Sequence, residues 1–146
     1  MIPLTYWLMA AILTPRLGAL VISRLDKLPD YREAVTLVTA SILFSINVYL
    51  FNHLDAASSA QFTIAEPIEG LAISFVLNQF GLMFALIASG LWIATSIYAI
   101  GYMRGNNEQN QTRFYICFAL AIAFAMGTAF SANLLTLFLF YELLTL

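Results

Sequence analysis

Charge is what this sequence has least of. Lys, Arg, Asp and Glu make up 10% of its 146 residues and hydrophobic side chains 62%, whereas a soluble globular domain carries about 25% and about 45–50%. That balance excludes a water-soluble globular fold and points to a bilayer. A single cysteine, Cys117, lies in an apolar run, which excludes a disulfide framework and a thiolate metal cluster. A single histidine, His53, excludes a bis-histidine haem within the chain. The few basic residues form no stripe, so nucleic acid is not an expected partner, and a net charge of −2 is too small to select one. No nucleophile–base pair, metal-ligand cluster or phosphate-binding loop supports a self-contained enzyme, and neither a cofactor nor a metal is expected. No basic residue precedes Arg16, and Ala10-Ala11 lies inside the apolar stretch, so a cleavable signal peptide is not expected.

What is present is a series of long apolar runs. A spanning helix needs about 20 apolar residues, because the hydrocarbon core is about 30 Å thick and a helix rises about 1.5 Å per residue. The first span is expected over residues 2–23, kinked at Pro15, with Arg16 snorkelling to the interface or finding a partner. A polar connection from Arg24 through Glu33 precedes the second span, residues 34–54, whose one strongly polar interior side chain is Asn47. Gln61–Ala65 and Leu71–Leu77 then alternate apolar with polar or small residues around Pro67-Ile68-Glu69-Gly70, predicting a surface hairpin over residues 61–75. From Gly70 to Met103 there is no formal charge. One helix of that length would be about 50 Å long, too much for a perpendicular span. With the hairpin removed, the third span covers 78–103. The same length argument divides the run after Phe114 into spans at 112–130 and 133–146, with a reversal at Ser131-Ala132-Asn133 and Ser131 as the expected cap.

The basic residues give an orientation. Arg24, Lys27 and Arg32 flank the first connection, Arg104 and Arg113 the third, and the second holds no Lys or Arg. The N-terminus is therefore expected outside, with the hairpin on the outer surface. In that frame the fifth helix descends from the outer face and Glu142 lies about 15 Å deep, near the midplane. An ionisable group at that depth costs about 2.5–3.5 kcal/mol on insertion scales and usually faces a bundle interior or a wet cavity. Proton or ion handling is the expectation for Glu142, against the alternative of one continuous fourth-and-fifth helix that leaves it in interfacial water. Thr145, three residues on, shares its face and is within reach of the carboxylate, although an apolar-facing threonine is the simpler reading. His53 reads as a solvated residue at the outer end of the second span. Gly81, Gly90, Gly101 and Gly127 read as close-packing positions, and Tyr6, Trp7, Trp92, Tyr98 and Tyr102 include interfacial anchors.

The run Ser131-Ala132-Asn133-Leu134-Leu135-Thr136-Leu137-Phe138-Leu139-Phe140-Tyr141-Glu142-Leu143-Leu144 resembles the fifth-helix signature of the antiporter-like membrane subunits. These occur in Mrp cation/proton antiporters, respiratory complex I and membrane-bound hydrogenases. Phe80-Gly81-Leu82-Met83-Phe84 resembles the start of that family's third helix, Tyr98-Ala99-Ile100-Gly101-Tyr102-Met103 its exit, and Arg113-Phe114-Tyr115 the opening of its fourth. The match covers roughly residues 71–146, and its wording is closest to the Mrp D-type subunit. Asn78 stands where family members usually carry an aspartate.

The resemblance implies an all-α polytopic bundle of four spans and the start of a fifth. It further implies the N-terminal part of a proton-conducting subunit that exchanges Na⁺ or K⁺ for protons in the cell membrane, within a hetero-oligomer and with Glu142 as the buried relay carboxylate. The family's later-helix lysines are absent from these residues, and the last helix carries no cap or polar tail, so a longer subunit is expected. The equivalent subunit of complex I or a hydrogenase is the close alternative. A non-conducting structural membrane module is the alternative of another class.

Overall fold

The computed structural model describes residues 4–54, 60–68 and 70–145. Its elements run α1 (Leu4–Ser23), α2 (Pro29–Asn52), β1 (Gln61–Ile68), β2 (Leu71–Val76), α3 (Gln79–Gly105), α4 (Gln111–Ala129) and α5 (Leu134–Thr145). The fold is all-α apart from one antiparallel hairpin, and α1 to α4 are each long and apolar enough to cross a membrane.

Local chemistry sets the helix ends. α2 opens on Pro29, whose missing N–H is not needed in a first turn, and Asp30 there complements the helix dipole. α3 is capped by Asn78, whose side-chain oxygen accepts from the Gly81 amide at 2.6 Å, and Arg104 sits in its last turn. Asparagine caps as well as aspartate does, so the departure from the family pattern keeps the cap while removing the charge. Asn107 and Asn110 take left-handed conformations in the short α3–α4 turn, which asparagine tolerates better than most residues. The hairpin turns at Gly70, with φ of 84°, and the Gly70 amide donates to Glu66 Oε1 at 2.9 Å. α1 continues as one helix through Pro15. The preceding Thr14 hydroxyl bonds back to the Ala10 carbonyl at 2.7 Å.

The first four helices pack as a ring, α1 on α2, α2 on α3, α3 on α4 and α4 on α1, and α5 lies outside the ring against α4 and β2. Leu8, Ile12, Ile22, Leu43, Leu50, Leu82, Trp92, Tyr115 and Met126 fill its interior. Asn47 is buried there and its amide donates to the Ala85 carbonyl (3.2 Å) and Ser89 Oγ (3.1 Å), joining α2 to α3 as an interhelical hydrogen-bonding residue.

One end of the ring is tied by charge. Arg104 donates to Glu33 through Nε (3.1 Å) and Nη2 (2.5 Å) and also pairs with Asp30, linking the end of α3 to the start of α2. Arg32 reaches the start of α4, donating to Thr112 Oγ1 (2.9 Å) and Gln111 Oε1 (2.8 Å), with its guanidinium 5.3 Å from the centroid of the Tyr115 ring. Arg32 and Glu33 are 4% and 5% exposed, although the sequence alone assigns them to a polar connection. They are buried because α2 begins a turn and a half earlier than its apolar run, and because neighbouring helices supply their partners. These contacts also put the first and third connections at one end of the bundle.

Glu33 carries the pairing. Glu33→Ala strands two buried or half-buried guanidinium groups, whereas the Asp30 side chain is 80% exposed and its pair is screened by solvent. The thermal midpoint in detergent is therefore expected to fall clearly in Glu33→Ala and by less than half as much in Asp30→Ala. A scanning-fluorimetry comparison of the two variants checks the order.

Candidate functional site

The carboxylate that the sequence singles out is positioned by the junction of α4 and α5. α4 closes at Phe130, whose amide donates to the Met126 carbonyl at 3.1 Å, and the Ser131 hydroxyl donates to the Thr128 carbonyl at 2.8 Å. The chain then runs alongside the free edge of β2. The Val76 amide donates to the Phe130 carbonyl (2.8 Å), the Ala132 amide to the Ser74 carbonyl (3.0 Å), and Phe75 and Ser131 form an antiparallel bridge. The hairpin thus reaches into the helix break and supplies the partners that its backbone needs.

Asn133 starts α5. Its Oδ1 accepts from the Thr136 amide at 2.8 Å, as an N-cap, while its Nδ2 donates to the Ala72 carbonyl (2.5 Å) and Ser74 Oγ (3.0 Å). Buried Thr136 returns a bond, accepting from the Ser74 amide at 3.0 Å. The expected reversal is present, but the cap is Asn133 and not Ser131, which finishes α4 instead. An amide side chain can accept from a helix amide and donate to a strand at once; a hydroxyl two residues earlier cannot reach both.

α5 is packed on one side. Phe140 is buried, edge-on to Phe75 at 5.4 Å between ring centroids, and its ring lies where a Cβ on Gly127 of α4 would stand. Of the four glycines expected to pack closely, Gly127 and Gly81 do; Gly101 faces open space and Gly90 has only ordinary contact with Phe44. The rings of Phe124 and Phe140 also carry the Arg16 guanidinium, at 5.9 and 5.2 Å from its central carbon. Arg16 therefore turns toward α4 and α5 and does not snorkel to the interface.

The opposite side of α5 is open. Leu134, Leu137, Phe138, Tyr141 and Glu142 are exposed along it, and among the described residues no side chain pairs with the Glu142 carboxylate. The Thr145 hydroxyl donates to the backbone carbonyl of Glu142 at 2.8 Å and leaves the carboxylate free. At the far end of α2, His53 is exposed, stacked on Tyr49 at 4.1 Å, with Nδ1 2.9 Å from the Tyr49 carbonyl oxygen. Sequence reasoning missed Arg32, Glu33 and Asn133. For the first two, the charged pair directly before an apolar run was the available signal; for Asn133, it was the Asn-x-x-Thr spacing of a cap.

No family model matches the chain. Over 77 residues, 53% of its length, it is 32% identical to the Na(+)/H(+) antiporter subunit A1 of Staphylococcus aureus (strain bovine RF122 / ET3-1). It is 31% identical over the same length to the subunits of that name in strains JH9 and Newman. The chain spans 9% of the length of these relatives. With four apolar helices of spanning length and this similarity, it is a multi-pass membrane protein whose relatives are antiporter subunits.

Replacing Asn133 by Ala removes the α5 cap and two bonds to the hairpin together. The expected loss is about 2 kcal/mol, the upper end for a cap, against less than about 1 kcal/mol for Ser131→Ala, whose partner carbonyl is already served by the helix end. Equilibrium unfolding of the two variants in mixed micelles measures the difference.

Proposed function

We propose that this chain supplies the first helices of an antiporter-like subunit in a multi-subunit Na⁺/K⁺–proton antiporter, with Glu142 as a proton-relay carboxylate. The observation that carries the reading is the position of Glu142, on the open face of a helix whose other face is pinned by Phe140, Thr136 and Asn133. A carboxylate that faces outward from its own bundle supports a role at a contact with a partner element. The Phe-Tyr-Glu-Leu run and the Met-Arg-Gly exit favour a D-type subunit, and the named relatives favour the A type.

Glu142 is exposed in these helices and not buried as expected, so the chemistry follows from whatever covers the open face of α5 and from charge. Removal from water favours the neutral acid, and a cation brought close favours the carboxylate, so a lysine or other cation that moves toward and away from Glu142 makes it take up and release a proton. The electrical part of the driving force is about 2.3 kcal/mol per charge per 100 mV. Arg24 and Lys27 in the first connection, and Arg104 and Arg113 flanking the third, lie at one end of the bundle, with no Lys or Arg in the second connection. That distribution supports a cytoplasmic end there, an outer hairpin and an external N-terminus.

Glu142→Gln is expected to abolish cation-driven proton movement in everted vesicles while the complex still assembles, and Glu142→Asp to keep part of it. Normal transport by the glutamine variant contradicts the relay. Loss of assembly in that variant indicates a structural role for the side chain.

A further inference from the structure

The interior of the α1–α4 ring contains polar atoms that the α5 carboxylate does not explain. Asn47, Trp92, Ser96 and Tyr115 are each at most 1% exposed. Asn47 Oδ1, Trp92 Nε1, Ser96 Oγ and the Tyr115 hydroxyl have no hydrogen-bond partner among the described protein atoms, and neither does Nε of buried Arg32. In a bilayer there is no bulk water to relieve such groups, so orphaned polar atoms cannot be left to the surroundings.

Two further unpartnered atoms, Trp7 Nε1 and Arg16 Nε, belong to α1; the five above belong to α2, α3 and α4. Ser89, Trp92 and Ser96 lie on one face of α3, at spacings of three and four residues. Asn47 of α2 is bonded to Ser89. Trp92 meets Phe118 of α4 edge-on, with ring centroids 6.4 Å apart. Because α3 and α4 are joined by a short turn and run in opposite senses, Ser96, one turn further along α3, is level with Tyr115, about one turn earlier on α4. The Tyr115 ring in turn lies beneath the Arg32 guanidinium, 5.3 Å away. The residues that carry the orphaned atoms therefore follow one another along a seam between α2, α3 and α4, from the charged end of the ring at Arg32 to Asn47. Small buried residues flank it, among them Ala40 of α2, Ala85 and Ala99 of α3 and Ala119 of α4.

We propose that this seam is a binding site for ordered water, held by Trp92, Ser96 and Tyr115 and extending to Asn47 and Arg32. The donor and acceptor types match that ligand. The indole N–H and the guanidinium Nε–H only donate, the amide oxygen only accepts, and the two hydroxyls do both. A water molecule that takes a proton from one and gives one to another satisfies them together, as buried waters do with two to four polar partners. The seam is separate from the open face of α5, and the proposal does not depend on the role of Glu142.

Radiolytic footprinting tests it on the assembled protein in lipid nanodiscs. A brief X-ray pulse generates hydroxyl radicals from water in place, and mass spectrometry reads which side chains they oxidise. Tyr115 is scaled to exposed Tyr31, and buried, apolar Phe130 to exposed Phe51. Tyr115 is expected to label about tenfold faster than Phe130 on these scales, as a side chain in contact with bound water. Trp92 labelling is expected to drop several-fold in Ser96→Ala and in Tyr115→Phe, conservative changes that remove only a hydroxyl. Labelling of Tyr115 as slow as that of Phe130 would overturn the proposal; the seam is then dry, with Ser96 bonding back to the Trp92 carbonyl. Fast labelling of Trp92 that neither variant alters overturns it equally, because the water is then not held by these groups.

Discussion

Where one helix ends and the next begins, the last carbonyl and first amide groups lack partners within either helix, and the arrangement of this chain answers that constraint. Between Phe130 and Asn133 the backbone leaves one helix and begins another, and β2 lies against it with an unused edge. The strand takes up the Phe130 carbonyl and the Ala132 amide, and the Asn133 and Thr136 side chains complete the exchange. Orphaned groups at helix ends are met by side chains or neighbouring backbone, and here the Asn133 side chain and the strand supply both. Without the hairpin, α4 and α5 would be driven toward one continuous helix, and Glu142 would be carried about 15 Å or more from its place. The small sheet, marginal by itself, is thus stabilised by the break that it stabilises.

The opposite end of the ring is held differently. There Arg104, Glu33, Arg32, Gln111 and Thr112 connect the starts of α2 and α4 to the end of α3 through charge-assisted bonds. Two buried charges are costly unless their remaining hydrogen-bonding capacity is met, and here neighbouring helices meet most of it. One end is therefore joined by backbone pairing and the other by side-chain charge, with an apolar middle interrupted by Asn47 and the polar seam. The result is a ring on which α5 can be mounted rigidly through Phe140 and Gly127.

Much of this was legible in the sequence because lipid imposes lengths. The excess length of the Gly70–Met103 and Phe114–Leu146 runs forces a hairpin before α3 and a break before α5, and both are present. The alternation of Phe62, Ile64, Ile73 and Phe75 with polar or small residues, around Gly70, marks the strands. What was not legible depends on partners distant in the chain. Nothing local to Arg32 and Glu33 reveals that Thr112 and Arg104 are waiting for them, about eighty and seventy residues later. Ser131 and Asn133 are both good caps by type, and only the approach of β2 decides between them. Arg16 reads as a snorkelling residue until the rings of Phe124 and Phe140 are brought beside it.

Functionally, among the described residues, α5 presents one carboxylate, Glu142, on a face that its own bundle does not cover, while the other face packs against α4 and β2. The proposed relay rests on that position. Infrared difference spectroscopy of the assembled protein in vesicles, recorded as a cation gradient is applied and removed, observes that carboxyl group most directly. The account predicts a reversible change in a protonated-carboxyl stretching band that is present in the native protein and missing from Glu142→Gln. Identical difference spectra from the two proteins would contradict it, because Glu142 would then keep one protonation state throughout transport.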